Sequence, residues 1–290
     1  MATLRSAMKD FLNGWENDVA PQWLELLNGV TPNYSAIDES LKLDAGEIIY
    51  PGRKGRETVG APQGSHIFRA LDGVVPMKVK VIIIGQDPYP RLSRATGRAF
   101  EQGDLTAWVD GPARVALSLK RIIQQAADFQ IGEDKYNSGS GWSAIEDDVR
   151  NGSLDLMPPA ILFEHWQKQG VLFLNTGLTL TRYQPGGHPH QLKGHIPLWA
   201  PVVGQICQKL ASQDDIPIVF VSWGSKARQF LYKLGLTTSP KYPATIKPEY
   251  TATKVIDRVH PAVESFVTGK NVFKETNEAL NALGNQSVIW

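Results

Sequence analysis

The chain has 290 residues, of which 42% are hydrophobic and 20% charged, and its formal net charge is +1. This composition is typical of a soluble globular protein, and the small net charge excludes a global field that would attract nucleic acid. The single cysteine, Cys207, excludes an internal disulfide framework and favours a reducing, cytoplasmic location. No secretory signal or membrane span is expected, because the first residues lack a long apolar core and the apolar runs elsewhere are short.

Short apolar runs alternate with helical patterns along the chain. Strands are predicted at 79–84, 171–174, 216–221 and 254–259, and helices at 20–27, 113–129, 158–169, 198–211, 226–234 and 271–283. This alternation predicts an α/β fold, with a central four-stranded, mainly parallel twisted sheet flanked by helices on both faces. The segment 132–156, rich in Gly, Ser, Asn and acidic residues, is predicted to be a long loop or insertion in a single domain spanning 1–290.

Side chains that can bind ligands follow each predicted strand. They are Gln86, Asp87 and Tyr89 after the first strand, Phe100 beyond the next loop, Asn175 after the second, residues 222–225 after the third and His260 after the fourth. Ligands of open parallel sheets bind at the carboxyl ends of the strands. Taken singly, each has an ordinary structural explanation, such as a turn, a cap or a core residue. Together they favour a binding or catalytic site.

Five motifs in this region resemble those of family-1 uracil-DNA glycosylases, in the same order and at similar spacings. They are GQDPYP at 85–90 (GQDPYH in the family), GRAF at 97–100 (GLxF), LFLN at 172–175 (LLLN), WGS at 223–225 and HPAVES at 260–265 (HPSPLS). Any one of them is a weak signal, whereas five in order are specific. The resemblance covers nearly the whole chain and implies a three-layer fold. It also implies a monomeric, monofunctional DNA glycosylase that needs no metal or cofactor and no obligate protein partner.

The chemistry of base excision fits the two groups that the resemblance places at the reacting bond. Breaking a base–sugar bond develops positive charge on the sugar and negative charge on the departing base. Asp87 is the candidate to stabilise the sugar and orient water. His260, as a neutral imidazole, is the candidate to donate a hydrogen bond to O2 of the departing pyrimidine. The expected product is an abasic site in DNA.

The remaining site residues follow from the resemblance. A flipped-out base is read by stacking and by hydrogen bonds to its edge. Phe100 is expected to stack on the base, Asn175 to read its Watson–Crick edge, Gln86 to bond near O2 and Tyr89 to face C5. Ser118 and Ser225 are the expected contacts to DNA phosphates.

Three positions depart from the family pattern and bear on substrate specificity. Pro90 replaces a histidine, and proline restricts the conformation of Tyr89 before it. Ala262 replaces a serine that contacts a phosphate, and Glu264 replaces the leucine that wedges into the base stack. A carboxylate is a poor wedge and repels phosphates. We therefore expect a preference other than plain uracil in duplex DNA.

Two alternative functions remain open. The enzyme would excise a bulky C5-modified cytosine, such as glucosylated hydroxymethylcytosine in phage DNA, as anti-phage defence. In a different class, the protein would be a catalytically idle DNA-binding or decoy protein. The histidines at 188, 190 and 195 are compatible with a metal site, but a solvated loop is the favoured interpretation.

Overall fold

The computed structural model describes residues 2–56 and 58–290, and the chain divides into two compact units. Unit 1 comprises the described residues up to Pro76 together with Gly85–Gly103 and Phe173–Leu210. Unit 2 comprises Met77–Ile84, Asp104–Leu172 and Ala211–Trp290. The single domain over 1–290 stays a prediction.

Within the described residues the sheet has four strands, in the order β2-β1-β3-β4. They are β1 (Val81–Gly85), β2 (Val171–Asn175), β3 (Ile218–Trp223) and β4 (Thr253–Arg258). β1 and β4 both run parallel to β3, with Val81 opposite Val219 and Ile218 opposite Thr253. Every residue of β1, β2 and β3 is buried, as continuous apolar strands of a parallel sheet require. The predicted α/β class and four-stranded sheet are confirmed.

The helices of the described residues lie before, between and after these strands along the chain. They are α1 (Leu4–Phe11), α2 (Pro21–Leu26), α3 (Leu117–Ile131), α4 (Gly141–Arg150), α5 (Pro159–Lys168), α6 (Ile196–Ala211), α7 (Ser225–Lys233) and α8 (Val272–Ala282). In unit 2, α7 packs on β3, and α8 packs on both β3 and β4. None of the described helices is long and apolar enough to cross a bilayer.

Each unit has its own aromatic core. In unit 2, Trp166 lies 5.9 Å from Phe273 and 5.8 Å from Trp290, measured between ring centroids. In unit 1, Phe68 packs between Trp15 at 5.5 Å and Trp199 at 5.7 Å. Each of these rings buries a large apolar area and so contributes to the stability of its unit.

Two predictions about local structure are wrong. The segment 132–156, expected to be a long loop, contains α4, which buries Trp142 and Ile145 one turn apart. This two-residue stripe is easily missed among Gly, Ser and Asp. The start of the helix predicted at 113–129 also moves, because Ala116 is extended (ψ 144°) and α3 begins only at Leu117. In addition, α1 was not predicted.

Candidate active site

The carboxyl ends of β1 and β2 meet in unit 1 at Gly85, where a side chain would not fit. A Cβ on Gly85 would lie 2.3 Å from Oδ1 of Asn175 and 2.7 Å from Cβ of Ala99. The Gly85 carbonyl accepts a hydrogen bond from the N–H of Thr176 at 3.0 Å. The glycine at the end of the VIIIG strand therefore allows the Asn175 side chain to cross directly over the β1 backbone.

Asn175 itself is 2% exposed. Its Oδ1 is buried, and among the described residues it has no hydrogen-bond donor. An unsatisfied buried polar atom costs about 1–3 kcal/mol. Such atoms are uncommon in folded proteins unless a ligand supplies the partner. Oδ1 of Asn175 is thus placed to accept a hydrogen bond from an N–H group of a ligand.

Asp87 is half-buried at the turn after β1. Its Oδ2 accepts a hydrogen bond from Nε2 of Gln191, and a Cβ on Gly177 would lie 3.0 Å from its Oδ1. Burial, and then the charge of Asp87, raise the pKa of Tyr50 to about 12. Asp87 is therefore held by an amide and flanked by a glycine and a neutral phenol.

The backbone of Gln86 is also fixed. Its carbonyl accepts hydrogen bonds from the N–H of Gly177 at 2.8 Å and from Oγ1 of Thr176 at 3.0 Å. A carbonyl oxygen cannot donate to O2, which is itself an acceptor, so the bond near O2 that the resemblance implies is left to the N–H or the side-chain amide of Gln86.

Tyr89 and Phe100 are both half-buried and joined by a hydrogen bond. The Tyr89 hydroxyl donates to the Phe100 carbonyl at 3.4 Å. Phe100 has φ +63°, a left-handed conformation that is uncommon for an aromatic residue. Backbone strain of this kind clusters at functional sites, where the surrounding structure enforces it.

Pro90 is exposed and turns the chain away from Tyr89. The N–H of Arg91 donates to the Tyr89 carbonyl at 2.8 Å, which closes a three-residue turn centred on Pro90. The fixed φ of proline suits the central position of an inverse γ-turn. Beyond the turn, Leu92 packs on a buried cluster of Tyr50, Ala95 and Leu180. The loop that follows Pro90 is thus anchored by an apolar contact of its own.

His260 lies in unit 2, just after β4, and is exposed. Its Nδ1 accepts a hydrogen bond from the N–H of Ala262 at 3.0 Å, so the neutral ring carries its proton on Nε2. Partial desolvation lowers the pKa of His260 below its usual range. Gly224 has φ +94°, and a Cβ there would lie 3.0 Å from Cβ of His260. The glycine of WGS therefore leaves room for a neutral imidazole in a defined tautomer.

The loop that carries His260 is held by hydrogen bonds from side chains of α3. Nε2 of Gln125 donates to the carbonyls of Phe266 and Val267, both at 3.2 Å, and Arg121 reaches the Pro261 carbonyl at 3.5 Å. Phe266 stacks edge-on against Trp223 at 5.4 Å. The loop is consequently fixed from two sides within unit 2.

The positions that depart from the family, Ala262 and Glu264, are exposed on this loop. A Cβ on Gly139 would lie 2.5 Å from Oε1 of Glu264, so the carboxylate rests against the backbone of the 132–140 segment. That segment is held by Gln124, whose Nε2 donates to the carbonyls of Tyr136 at 2.6 Å and Ser138 at 2.8 Å.

The two expected phosphate contacts lie at helix N-termini in unit 2. Ser225 is the first residue of α7 and is exposed, whereas Ser118 is the second residue of α3 and is half-buried. Unpaired N–H groups and the helix dipole make such positions favourable for phosphate.

The histidines expected on a solvated loop are in fact mostly buried. His190 is 2% exposed and His195 is fully buried, at and within the π-helical turn Gln191–His195. Desolvation lowers the pKa of His195 to about 3 and lowers that of His190 as well, so both rings are neutral. Across residues 2–56 and 58–290, no group of three or more His, Cys, Asp or Glu side chains could hold a metal ion.

Burial of these rings is possible because a chain of hydrogen bonds satisfies them. Nδ1 of His190 meets Oγ1 of Thr181 at 2.9 Å. Thr181 also meets Nε2 of His195 at 3.0 Å, and Nδ1 of His195 meets Thr179 at 2.8 Å. A hydroxyl can both donate and accept, so the two threonines link the two rings in one chain of hydrogen bonds.

The structure brings together Gln86, Asp87, Tyr89, Phe100 and Asn175 in unit 1, and it places Ser118, Ser225, His260, Ala262 and Glu264 in unit 2. Sequence reasoning missed the side chains that support them, chiefly Gln191 behind Asp87 and Gln125 behind the His260 loop. A weak signal for Gln191 was its place in the polar, His-rich run at 188–195.

Comparison with known proteins identifies the family. A sequence profile described as the Uracil DNA glycosylase superfamily matches residues 73–284. The uracil-DNA glycosylase of Streptococcus mutans is 28% identical over 246 residues, 84% of each chain. That of Streptococcus suis is 26% identical over 274 residues, 92% of this chain and 97% of the relative.

Solved structures of the same fold are more distant in sequence. Wild-type UNG of Nitratifractor salsuginis superposes with a TM-score of 0.57 at 19% identity, covering 99% of this chain and all of the other. Mimivirus uracil-DNA glycosylase gives a TM-score of 0.60 at 17% identity, with coverages of 100% and 94%. These likenesses confirm the predicted fold, and the family match confirms the predicted enzyme class, a DNA N-glycosylase. The chain is a divergent member of the uracil-DNA glycosylase superfamily.

Proposed function

We propose that the protein hydrolyses the N-glycosidic bond of a flipped-out uracil or modified pyrimidine in DNA and leaves an abasic site. The observation that carries this proposal is the buried, unsatisfied Oδ1 of Asn175, on the strand end next to the one that holds Asp87. A pyrimidine edge with an N–H group would supply the missing donor.

Asp87 is assigned to the sugar. Its carboxylate stabilises the positive charge that develops on the sugar as the bond to the base breaks, and it orients the water that attacks C1′. The amide of Gln191 occupies one oxygen, which reduces its readiness to take a proton and favours the charged form.

His260 is assigned to the departing base. The Ala262 N–H fixes the tautomer with the proton on Nε2, and the lowered pKa keeps the ring neutral at physiological pH. Nε2 then donates a hydrogen bond to O2, where negative charge accumulates, without requiring a full proton transfer. In this assignment Asp87 stabilises the positive charge on the sugar, and His260 stabilises the negative charge on the base.

Recognition of the base is assigned to unit 1. Phe100 stacks on the ring, Asn175 reads the edge, and the N–H or side chain of Gln86 bonds near O2. Tyr89 faces C5, and its hydrogen bond to the Phe100 carbonyl supports a fixed ring there. This favours a substrate with little bulk at C5, and plain uracil is the first candidate.

Contacts to the DNA backbone are assigned to Ser225 and Ser118 at the starts of α7 and α3. The loop at 260–265 lacks a polar side chain at Ala262 and carries a negative charge at Glu264. Weaker grip on duplex DNA follows, because each lost phosphate contact lowers affinity and an added carboxylate repels the strand. A single-stranded or locally opened substrate fits this surface.

The base is identified by a series of labelled oligonucleotides that differ in one residue. The series carries uracil, thymine, hydroxymethylcytosine or its glucosylated form, each in single and double strands. Alkali-labile sites from uracil alone would contradict excision of modified bases, whereas labile sites from the glucosylated base alone would support anti-phage defence. The side-chain amide of Asn175 serves either case, since it offers both a donor and an acceptor.

An idle DNA-binding protein is the competing class. The substitution Asp87→Asn distinguishes the two: an enzyme loses base release by a large factor while its affinity for the oligonucleotide changes little. Alkali-labile sites from none of the bases, with DNA binding intact, would refute the glycosylase proposal. The cytoplasmic location and the monomeric state stay predictions.

A further inference from the structure

Gln191 is a buried amide that contacts the reacting carboxylate of the proposed mechanism. It is 3% exposed, and its Nε2 donates to Oδ2 of Asp87 across 104 positions of sequence. Both residues belong to unit 1. None of the five motifs that carry the family resemblance contains this glutamine.

The orientation of the amide is fixed by a second hydrogen bond. Oε1 of Gln191 accepts from the N–H of His188 at 3.2 Å, so the opposite end of the amide, Nε2, must face Asp87. The N–H of Gln191 donates in turn to the His188 carbonyl at 3.0 Å. If the amide were rotated by 180°, Nε2 would face the N–H of His188 and Oε1 would face Oδ2 of Asp87. Two donors and two acceptors would then lie against each other, which is costly in a buried site.

The turn that carries Gln191 is rigid for packing reasons. It is π-helical over Gln191–His195, an irregularity that occurs often at functional sites. A Cβ on Gly194 would lie 2.6 Å from a methyl carbon of Leu4, so the turn sits directly on α1. The neutral rings of His190 and His195 support it without placing a charge near Asp87.

We propose that Gln191 is a positioning residue for Asp87, an inference that rests on the proposed glycosylase function. It holds the carboxylate in one rotamer by donating to Oδ2. An amide donor stabilises the anion more than the acid. Asp87 therefore acts as a fixed negative charge that supports the sugar cation, and it is a poor general base.

The test removes the donor and keeps the volume, with Gln191→Leu. Single-turnover excision from a uracil oligonucleotide is expected to slow about 10- to 100-fold, the usual worth of a hydrogen bond to a charged group. The dissociation constant for the same oligonucleotide is expected to stay within about threefold. The acid limb of the rate–pH profile is expected to move to higher pH, because Asp87 becomes easier to protonate.

A double-mutant cycle separates positioning from general damage. In the Asp87→Asn background, Gln191→Leu should slow the residual reaction by less than about threefold. The matched control is Gln169→Leu, which removes an amide that holds the N–H and carbonyl of Ile289 near the C-terminus. It should lower stability without changing the pH profile. Equal rate losses in both Asp87 backgrounds would overturn the proposal.

A readout without catalysis keeps this inference separate from the proposed function. In protein labelled with ¹³C-aspartate, the Asp87 carboxyl signal is assigned from its absence in Asp87→Asn and titrated by NMR. Tyr50 is the titratable neighbour on which Asp87 acts, and it stays neutral over this pH range. The Asp87 pKa should rise by about one unit in Gln191→Leu. An unchanged pKa would refute the role of Gln191 even in an active enzyme, and inactivity of the wild type would refute only the function.

Discussion

The tightest contact at the strand ends gives the sharpest prediction, the effect of Gly85→Ala. The new methyl carbon would lie 2.3 Å from Oδ1 of Asn175, whereas a carbon and an oxygen that do not bond need about 3.3 Å. Since Ala99 blocks the other side at 2.7 Å, the Asn175 amide must move by about 1 Å. A misplacement of this size can cost about 100-fold in rate.

The assay is single-turnover excision with enzyme in excess over a uracil oligonucleotide, at a temperature where the variant is folded. We expect a loss of about 100-fold in the rate constant, and a loss of stability of about 1–3 kcal/mol from overpacking. Gly111→Ala is the matched control, because its Cβ would meet nothing closer than 3.4 Å. A Gly85→Ala enzyme within about threefold of the wild-type rate would refute the assignment of Asn175 to base recognition.

Three further predictions concern unit 2. Burial raises the pKa of Asp128 to about 6 from 3.8, so its favourable contribution to stability is present below about pH 4 and is lost as the pH rises through 6. The variant Asp128→Asn keeps an acceptor for the Tyr136 N–H. In denaturant titrations it should be more stable than wild type by about 1–3 kcal/mol above pH 6 and equal to it below pH 4. A difference that does not change with pH would contradict this. Glu264→Gln should tighten DNA binding about two- to fivefold at low salt, measured by fluorescence anisotropy, and less at high salt; unchanged affinity would show that the carboxylate does not face the strand. His260→Ala should slow single-turnover excision by about 10²–10³-fold with little change in binding, and a loss below threefold would exclude His260 from catalysis.

Much of the fold follows from the sequence because strands that are buried on both faces have a simple pattern. The runs ending at Gly85 and Asn175 are continuous apolar segments, and the rule that ligands bind at the carboxyl ends of parallel strands then groups the residues beyond them. The motif resemblance supplied the individual roles. The fold and family predictions depend on patterns of residues close together in sequence, which is why they are confirmed, whereas the roles of the individual residues stay predictions.

What failed depends on contacts between residues that are far apart. Gln191 meets Asp87 across 104 positions, and nothing in the local pattern distinguishes it from other polar residues of its turn. His190 and His195 were expected to lie on a solvated loop. Their burial depends on hydroxyl partners at Thr179 and Thr181, a dependence that hydropathy cannot express.

The left-handed backbone of Phe100 has a consequence for selection experiments. A residue with φ +63° would be more comfortable as glycine or asparagine by about 1 kcal/mol, so every folded molecule carries that cost whether or not it is turning over. Libraries selected only for thermal tolerance should lose the ring at position 100. Libraries selected for excision should keep an aromatic residue there. The two enrichment profiles would then diverge at position 100, and the divergence would compare the value of the ring for excision with the cost of its backbone strain.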